Sequence, residues 1–423
     1  MERVLITALL ALIATASIAQ EADTPVPYSY VFGTDISWVD ATGQPSWLNG
    51  SGGKLLYDDS NDGLTISQMF ADYRLRIIDT LDIAIAANVY NDNFGDEFDL
   101  TQAYLEWRPL TLSNNRYRVK VGGFYPRLSL ENRGPAWTTP YTISSSAINT
   151  WIGEEIRIFG AELSVSRRPV TLGGAHTFSL FAAGFKHNDP AGGLIAWKGW
   201  SIHDRQTRFG DTLPLPPLPQ IDPDGRFWRQ DPFFIPFQEN DGDIGWYAGA
   251  EWQYRNRLML RATRYDNRAD PRNVTNRQYG WYTEFSHVGL QADLPGDVGL
   301  VAQWLHGETV MGPVIRGAHV VDNGFSSYFV LLTRAFGNHR LTVRYDDFEV
   351  TEEDQMPLDE NREKGQAWTL AYKFQLTDVV GLAAEWLRIH SERPAWAYND
   401  LSTSRMESQL QLSVQIRLGN HQH

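Results

Sequence analysis

The chain has 423 residues, no Cys and a formal net charge of −14. Without thiols there are no disulfides, thiolate metal sites or Cys nucleophiles, and the acidic balance excludes a nucleic-acid partner, which calls for a basic surface. Aromatic side chains make up 13% of the residues, with 15 Trp and 18 Tyr, a share that suits surfaces passing from apolar to wet.

The first residues, MERVLITALLALIATASIAQ, combine an early Arg, an apolar run over 4–16 and small side chains at Ser17 and Ala19. This pattern predicts a secretory signal peptide, residues 1–19, cleaved after Ala19, so that 20–423 works outside the cytoplasm. No later apolar stretch approaches the ~20 residues that a membrane helix needs. A membrane-inserted form of this chain therefore crosses as strands.

Alternating segments then recur to the end of the chain: 30–38, 65–77, 81–90, 98–108, 116–125, 155–167, 176–188, 244–255, 257–268, 278–294, 298–308, 324–336, 340–350, 366–376, 380–390 and 409–418. The last, QLQLSVQIRL, alternates without a slip, so Leu410, Leu412, Val414, Ile416 and Leu418 share one face and Gln409, Gln411, Ser413, Gln415 and Arg417 the other. Segments 155–167 and 278–294 change phase near 159–160 and 287–289, which predicts bulges there.

The connections alternate too. Tight turns at 78–80, 256, 295–297, 337–339 and 377–379, and short links at 109–115 and 168–175, take turns with long stretches at 39–64, 91–97, 126–154, 189–243, 269–277, 309–323, 351–365 and 391–404. A soluble sandwich explains alternation but not loop length that depends on the side of the sheet. An all-β fold follows: a transmembrane antiparallel β-barrel of about 16 strands, with short periplasmic turns and long external loops, whose last strand pairs with the first. The count becomes 18 if part of a long loop forms a further hairpin.

The same parity assigns lipid and lumen. Trp246, Ala248, Ala250, Trp252 and Tyr254, and Trp368, Leu370, Tyr372, Phe374 and Leu376, face lipid. Facing inward are Asp72, Arg74, Arg76, Glu106, Arg108, Arg116, Arg118, Lys120, Glu251, Arg255, Arg340, Arg344, Lys373 and Arg417, with most of the basic members beside short turns. Acidic residues instead crowd the external loops, as at 58–62, 92–97 and 352–363. A negative mouth over a positive floor is expected.

The stretch 126–154 carries too many Trp, Ile and Tyr to stay in water, so it is expected to fold onto the lumen wall and constrict it. Glu131, Arg133 and Ser144–Ser146 would then lie near the constriction. A lid over the mouth or a subunit contact is the competing placement. The Pro-rich 212–237, within the long external loop 189–243, reads as a structured lid. DDSNDG (58–63) has Asp58, Ser60, Asp62 and Gly63 at calcium-loop spacing, but Met69 stands where the closing Glu belongs, so an ordinary turn is preferred and no metal or cofactor is expected. No GxSxG, HExxH or GxxxxGK[ST] occurs.

From about Phe70 to Val165, QAYLEWRP (102–109), VKVGGFYPRLSLEN (119–132) and IGEEIRIFGAEL (152–163) resemble the phosphate-selective porin O/P type and related general porins. The resemblance implies sixteen-stranded homotrimers in the outer membrane of a Gram-negative bacterium, with an inward loop after the LEN motif, passing small anionic or general solutes. The expected function is passive diffusion of small hydrophilic solutes through a lipid-embedded channel, not catalysis. Its expected lining residues are Arg74, Arg76, Glu106, Arg108, Arg118, Lys120, Glu131 and Arg133. A surface receptor or adhesin anchored by its barrel, and a barrel-embedded hydrolase, are the alternatives.

Overall fold

The structure is a computed structural model and describes residues 27–420 except 91, 93, 168–174, 256 and 316. The expected signal peptide lies outside the described residues. The strands are β1 (Tyr28–Thr42), β2 (Gly63–Ile78), β3 (Leu81–Val89), β4 (Phe98–Trp107), β5 (Asn115–Phe124), β6 (Ile158–Arg167), β7 (His176–Lys186), β8 (Leu213–Pro214), β9 (Phe233–Phe234) and β10 (Gly245–Tyr254). They continue with β11 (Leu258–Asp266), β12 (Val274–Thr275), β13 (Gln278–Tyr279), β14 (Tyr282–Leu294), β15 (Val298–Ile315), β16 (Ala318–Phe336), β17 (His339–Glu352), β18 (Glu363–Gln375), β19 (Val380–Glu392) and β20 (Ser404–Gly419).

Sixteen of them form one closed antiparallel barrel, while β8–β9 and β12–β13 are separate short hairpins within loops. The hairpins stay outside the barrel, so its count is sixteen and not eighteen. Closure is made by β1 and β20, paired from Val31↔Gly419 to Thr42↔Ser408. That seam leaves no free edge.

Burial along β20 shows what the barrel faces. Leu412 and Val414 are 46% and 40% exposed, whereas Gln411 and Ser413 are 2% and 4% exposed. Apolar side chains outside and polar ones inside reverse the order of a soluble sandwich and match a lipid-facing wall. Trp246, Trp368, Leu370 and Tyr372 are likewise exposed, as their parity predicts. No helix among the described residues is long and apolar enough to cross a membrane.

Two expectations need correction. The stretch 309–323 is not a loop: β15 runs to Ile315 and β16 starts at Ala318, so the hairpin projects beyond its neighbours. Its added length is used as a wall, because Met311, Val320 and Val321 are buried against Leu194, Trp197 and Trp281. The bulges also fall elsewhere, at Asp35/Ile36, Arg76/Ile78, Ala86/Ala87 and Met311/Val314. Around 159–160 and 287–289 the register is continuous. The apparent phase change arises because inward positions such as Ile158 and Phe285 are apolar and pack on an interior core.

That core fills much of the outer half of the lumen. Leu128, Leu130, Ile148, Trp151 and Ile152 from 126–154 pack with Trp200 and Ile202 against wall residues Phe285, Leu305, Phe325 and Leu387. A second cluster joins Trp47, Trp197, Leu213, Phe227, Phe234 and Trp281 nearer the mouth.

Pairing is thinnest between β4 and β5, where it spans only Ala103↔Gly123 to Trp107↔Val119. Gly122 sits there with φ +137°, and a Cβ would lie 2.3 Å from the Ala103 carbonyl oxygen. Gly122→Ala should therefore cost about 1–3 kcal/mol, from strained backbone and a clash with a main-chain atom that cannot swing away. Urea titration of the folded barrel measures this loss.

Candidate functional site

A basic vestibule opens at the short-turn end. Arg74 and Arg76 on β2, and Arg116, Arg118 and Lys120 on β5, point inward by strand parity, and Arg108 follows the end of β4. They surround two carboxylates, Asp82 on β3 and Glu106 on β4, which are 1% and 3% exposed. Glu106 accepts from Arg74 at 2.9 Å and Arg118 at 2.8 Å. Asp82 pairs with Arg76 at 3.2 Å, Arg74 at 3.5 Å and also Arg108. Lys120 instead stands over the rings of Tyr104 and Phe124, at 4.9 and 5.3 Å. The structure thus gathers Arg74, Arg76, Glu106, Arg108, Arg118 and Lys120 into one patch of wall.

Glu131 lies apart from that patch, whereas Arg133 shares a cavity with Arg74 and Tyr104. Glu131 is fully buried and pairs with Arg344 of β17 at 2.7 Å, so it does not face Arg74, Arg118 and Lys120. Its other oxygen accepts from the Ser146 amide at 2.9 Å and Asn149 Nδ2 at 2.8 Å. Arg344 in turn holds Asp346 at 2.8 Å and donates to the carbonyls of Ser144 and Ser145 at 2.8 and 3.0 Å. Glu385 of β19 accepts from the Ile143 and Ser144 amides at 2.6 and 3.0 Å. On the far side Asp72 of β2 accepts from the Ala136 amide at 2.6 Å. The segment 126–154 is therefore strung across the lumen from β2 to β17 and β19. Arg133, by contrast, is exposed and lines two cavities on its vestibule side.

One cavity, of about 380 Å³, lies between the segment and Tyr30, Asp72, Arg74 and Tyr104. Another, of about 560 Å³, is bounded by Arg133, Thr138, Thr139, Arg340, Lys373, Gln415 and Arg417. A small pocket of about 20 Å³, the neck, shares Asn132 and Trp137 with the first cavity and Thr139, Lys373, Gln415 and Arg417 with the second, and is lined also by Asp35, Gln68, Ser145, Asp204 and Gln206. A volume of that order admits about one water. Around the 560 Å³ cavity, Arg417 is paired with Asp35. Lys373 donates to the Thr139 carbonyl at 3.2 Å and Arg340 to Thr333 Oγ1 at 3.2 Å. Neither of these two nor Arg133 has a carboxylate within 4.0 Å among the described residues.

Above the neck, the connection after β7 folds down onto the helix Ala147–Glu155. Lys198 and His203 meet Glu154, the latter at 2.9 Å. Burial acts to raise the Glu154 carboxyl, but the Lys198 charge and the hydrogen bond from His203 outweigh it and hold it low, at about 2. Burial has the opposite effect on Glu155, pushed up to about 8, although it accepts from the Leu194 and Gly192 amides at 2.9 and 3.2 Å. Arg157 lies beneath Tyr125, Phe237 and Phe209, at 4.7, 4.5 and 5.4 Å. The Pro-rich 212–237 contributes the β8–β9 hairpin to the cluster near the mouth.

The expected negative mouth is in part neutralised from within. Asp92 pairs with Arg205 at 2.6 Å, and Glu363 with Lys54 at 2.7 Å and Arg393 at 3.2 Å. Asp58 also differs from the calcium-loop pattern, because its oxygens accept from the Ser46 amide, the Ser60 amide and hydroxyl, and Asn49. Those bonds tie Asp58 and Ser60 into a turn.

Asp82, Asp35, Asp204 and Glu385 join the site in the structure, beyond the lining residues expected from the sequence. Asp82 and Glu385 were visible as lone inward carboxylates among Ala and Gly in their strands; Asp204, in a loop, carried no such signal.

No family model matches the chain, and no curated protein matches it. Solved structures do. The outer membrane channel DcaP of Acinetobacter baumannii is 12% identical, with 92% of this chain and 96% of that chain covered and a TM-score of 0.51. OmpT of Vibrio cholerae in its trimer form is 9% identical over 93% of this chain and 99% of that chain, with a TM-score of 0.50. An anion-selective porin from Comamonas acidovorans is 11% identical over 93% and 99%, with a TM-score of 0.48. At such identities the likeness is one of fold alone, a closed antiparallel barrel shared with proteins of bacterial outer membranes.

Proposed function

We propose that this protein is a passive outer-membrane channel for small hydrophilic solutes that favours anions, assembled as a homotrimer. The observation that carries this reading is the trio Arg133, Arg340 and Lys373 around the 560 Å³ cavity that adjoins the neck, none of them in an ion pair with a carboxylate within 4.0 Å among the described residues. Positive charge without a fixed partner in a narrow, low-dielectric tube attracts mobile anions and repels cations. The paired Arg74, Arg76, Arg108 and Arg118 shape the wall, with half of their charge answered by Asp82 and Glu106. The trimeric form of OmpT and the shared fold support the assembly.

Chloride entry into vesicles carrying the protein and a chloride-quenched dye tests the reading. Replacing Arg340 and Lys373 together with Gln should slow entry by about fivefold, the factor for ~1 kcal/mol between unit charges ~4 Å apart in water. Unchanged entry in the double variant would remove the assigned cavity from the path.

A further inference from the structure

Asp204 is placed where a charge would matter most. It lines the neck together with Asp35, Thr139, Ser145, Lys373 and Arg417. Its neighbours in sequence are fixed on both sides: His203 by Glu154 at 2.9 Å, and Arg205 by Asp92 and Asp211 at 2.6 and 3.0 Å. The backbone is thus anchored, yet no other described residue donates a side-chain hydrogen bond or a cation to the Asp204 carboxyl. The charged groups around it are otherwise engaged. Asp35 is paired with Arg417 and accepts from Gln415 at 2.7 Å, and Glu385 is occupied by the Ile143 and Ser144 amides. Lys373 is bound to the Thr139 carbonyl. Tyr57 and Tyr90 approach from the first two external connections.

We propose that Asp204 is the charge-selecting group of the neck: with its carboxyl uncharged, small anions pass from the cationic cavity, and with it ionised they are turned back. This rests on the channel reading above and adds a specificity residue and its regulation. Burial, with Asp35 close by, pushes the carboxyl up to about 8. A raised value means that the proton is held at neutral pH and released above it, so anion passage declines as the medium turns alkaline.

The test is the zero-current potential of the full chain in a planar bilayer, across a salt gradient, at about pH 6.5 and about pH 9.5. In the wild type the anion-to-cation permeability ratio should fall by about fivefold between the two, the effect of one unit charge ~4 Å from the path in water. Asp204→Asn and, as a second removal of the carboxyl, Asp204→Ser should keep the acid-side ratio at both. Any decline that remains in these variants comes from other groups and is subtracted. An equal decline in wild type and variants, or no decline in the wild type, would overturn the role of Asp204 while leaving the channel standing. No anion preference at about pH 6.5 would instead overturn the channel reading, and this inference with it.

Discussion

Replacing Arg344 with Met should loosen the segment 126–154 and raise the current through the barrel, while the wall stays closed. Arg344 is fully buried and binds Glu131, Asp346 and two carbonyls of the segment. Taking away the cation strands two carboxylates in a dry interior, a loss of about 3–5 kcal/mol. The relief is local, Glu131 moving toward water while Leu130, Ile148 and Trp151 stay packed in the interior core. The sheet pairing of β17 uses main-chain groups and is untouched. The expected outcome is larger and noisier currents, with the folded band retained on an unheated gel. Arg344→Met combined with Glu131→Gln and Asp346→Asn should recover much of the quiet state. Unaltered currents in the single variant would mean that the segment does not limit flow.

The second large effect concerns the outer wall. Val414 is 40% exposed and lies along β20 between Leu412, opposite Trp38, and Leu418, opposite Phe32. Those aromatics mark the two edges of the apolar band, which puts Val414 near its middle. Val414→Arg should therefore cost roughly 2–4 kcal/mol. Gln415→Arg, one residue on, enters the vestibule beside Asp35 and should assemble normally. Gln411 is an unsuitable control although it also faces inward, since it is 2% exposed and bonded to Ser37. Equal loss of folded protein in the Val414 and Gln415 variants would contradict the assignment of faces.

How far the molecule could be read in advance follows from the range of each interaction. Strand positions and their faces were legible because alternation is local: Leu412 and Gln411 differ by one residue and by opposite exposure. Side-specific turns gave away the barrel for the same reason. The filled lumen was only half legible. Leu130, Ile148 and Trp151 announced that 126–154 must be buried, but not against what, since Glu131 meets Arg344 across 213 residues of sequence. Inward apolar residues such as Phe285 then looked like a phase error, because polar lining was assumed where a core exists. Arg74, Glu106 and Arg118 follow from parity alone, and so does Asp82, the second carboxylate that Arg74 meets. Asp204 sits in a connection without period, and only the folded chain brings it to the neck.

Single-channel recording of the purified chain in a planar bilayer bears most directly on the claim that this barrel is an anion-preferring pore. Discrete, small current steps are expected, with a zero-current potential on the anion side in dilute salt that fades as salt screens the vestibule. A barrel that folds but gives no steps, or steps with firm cation preference, would contradict it.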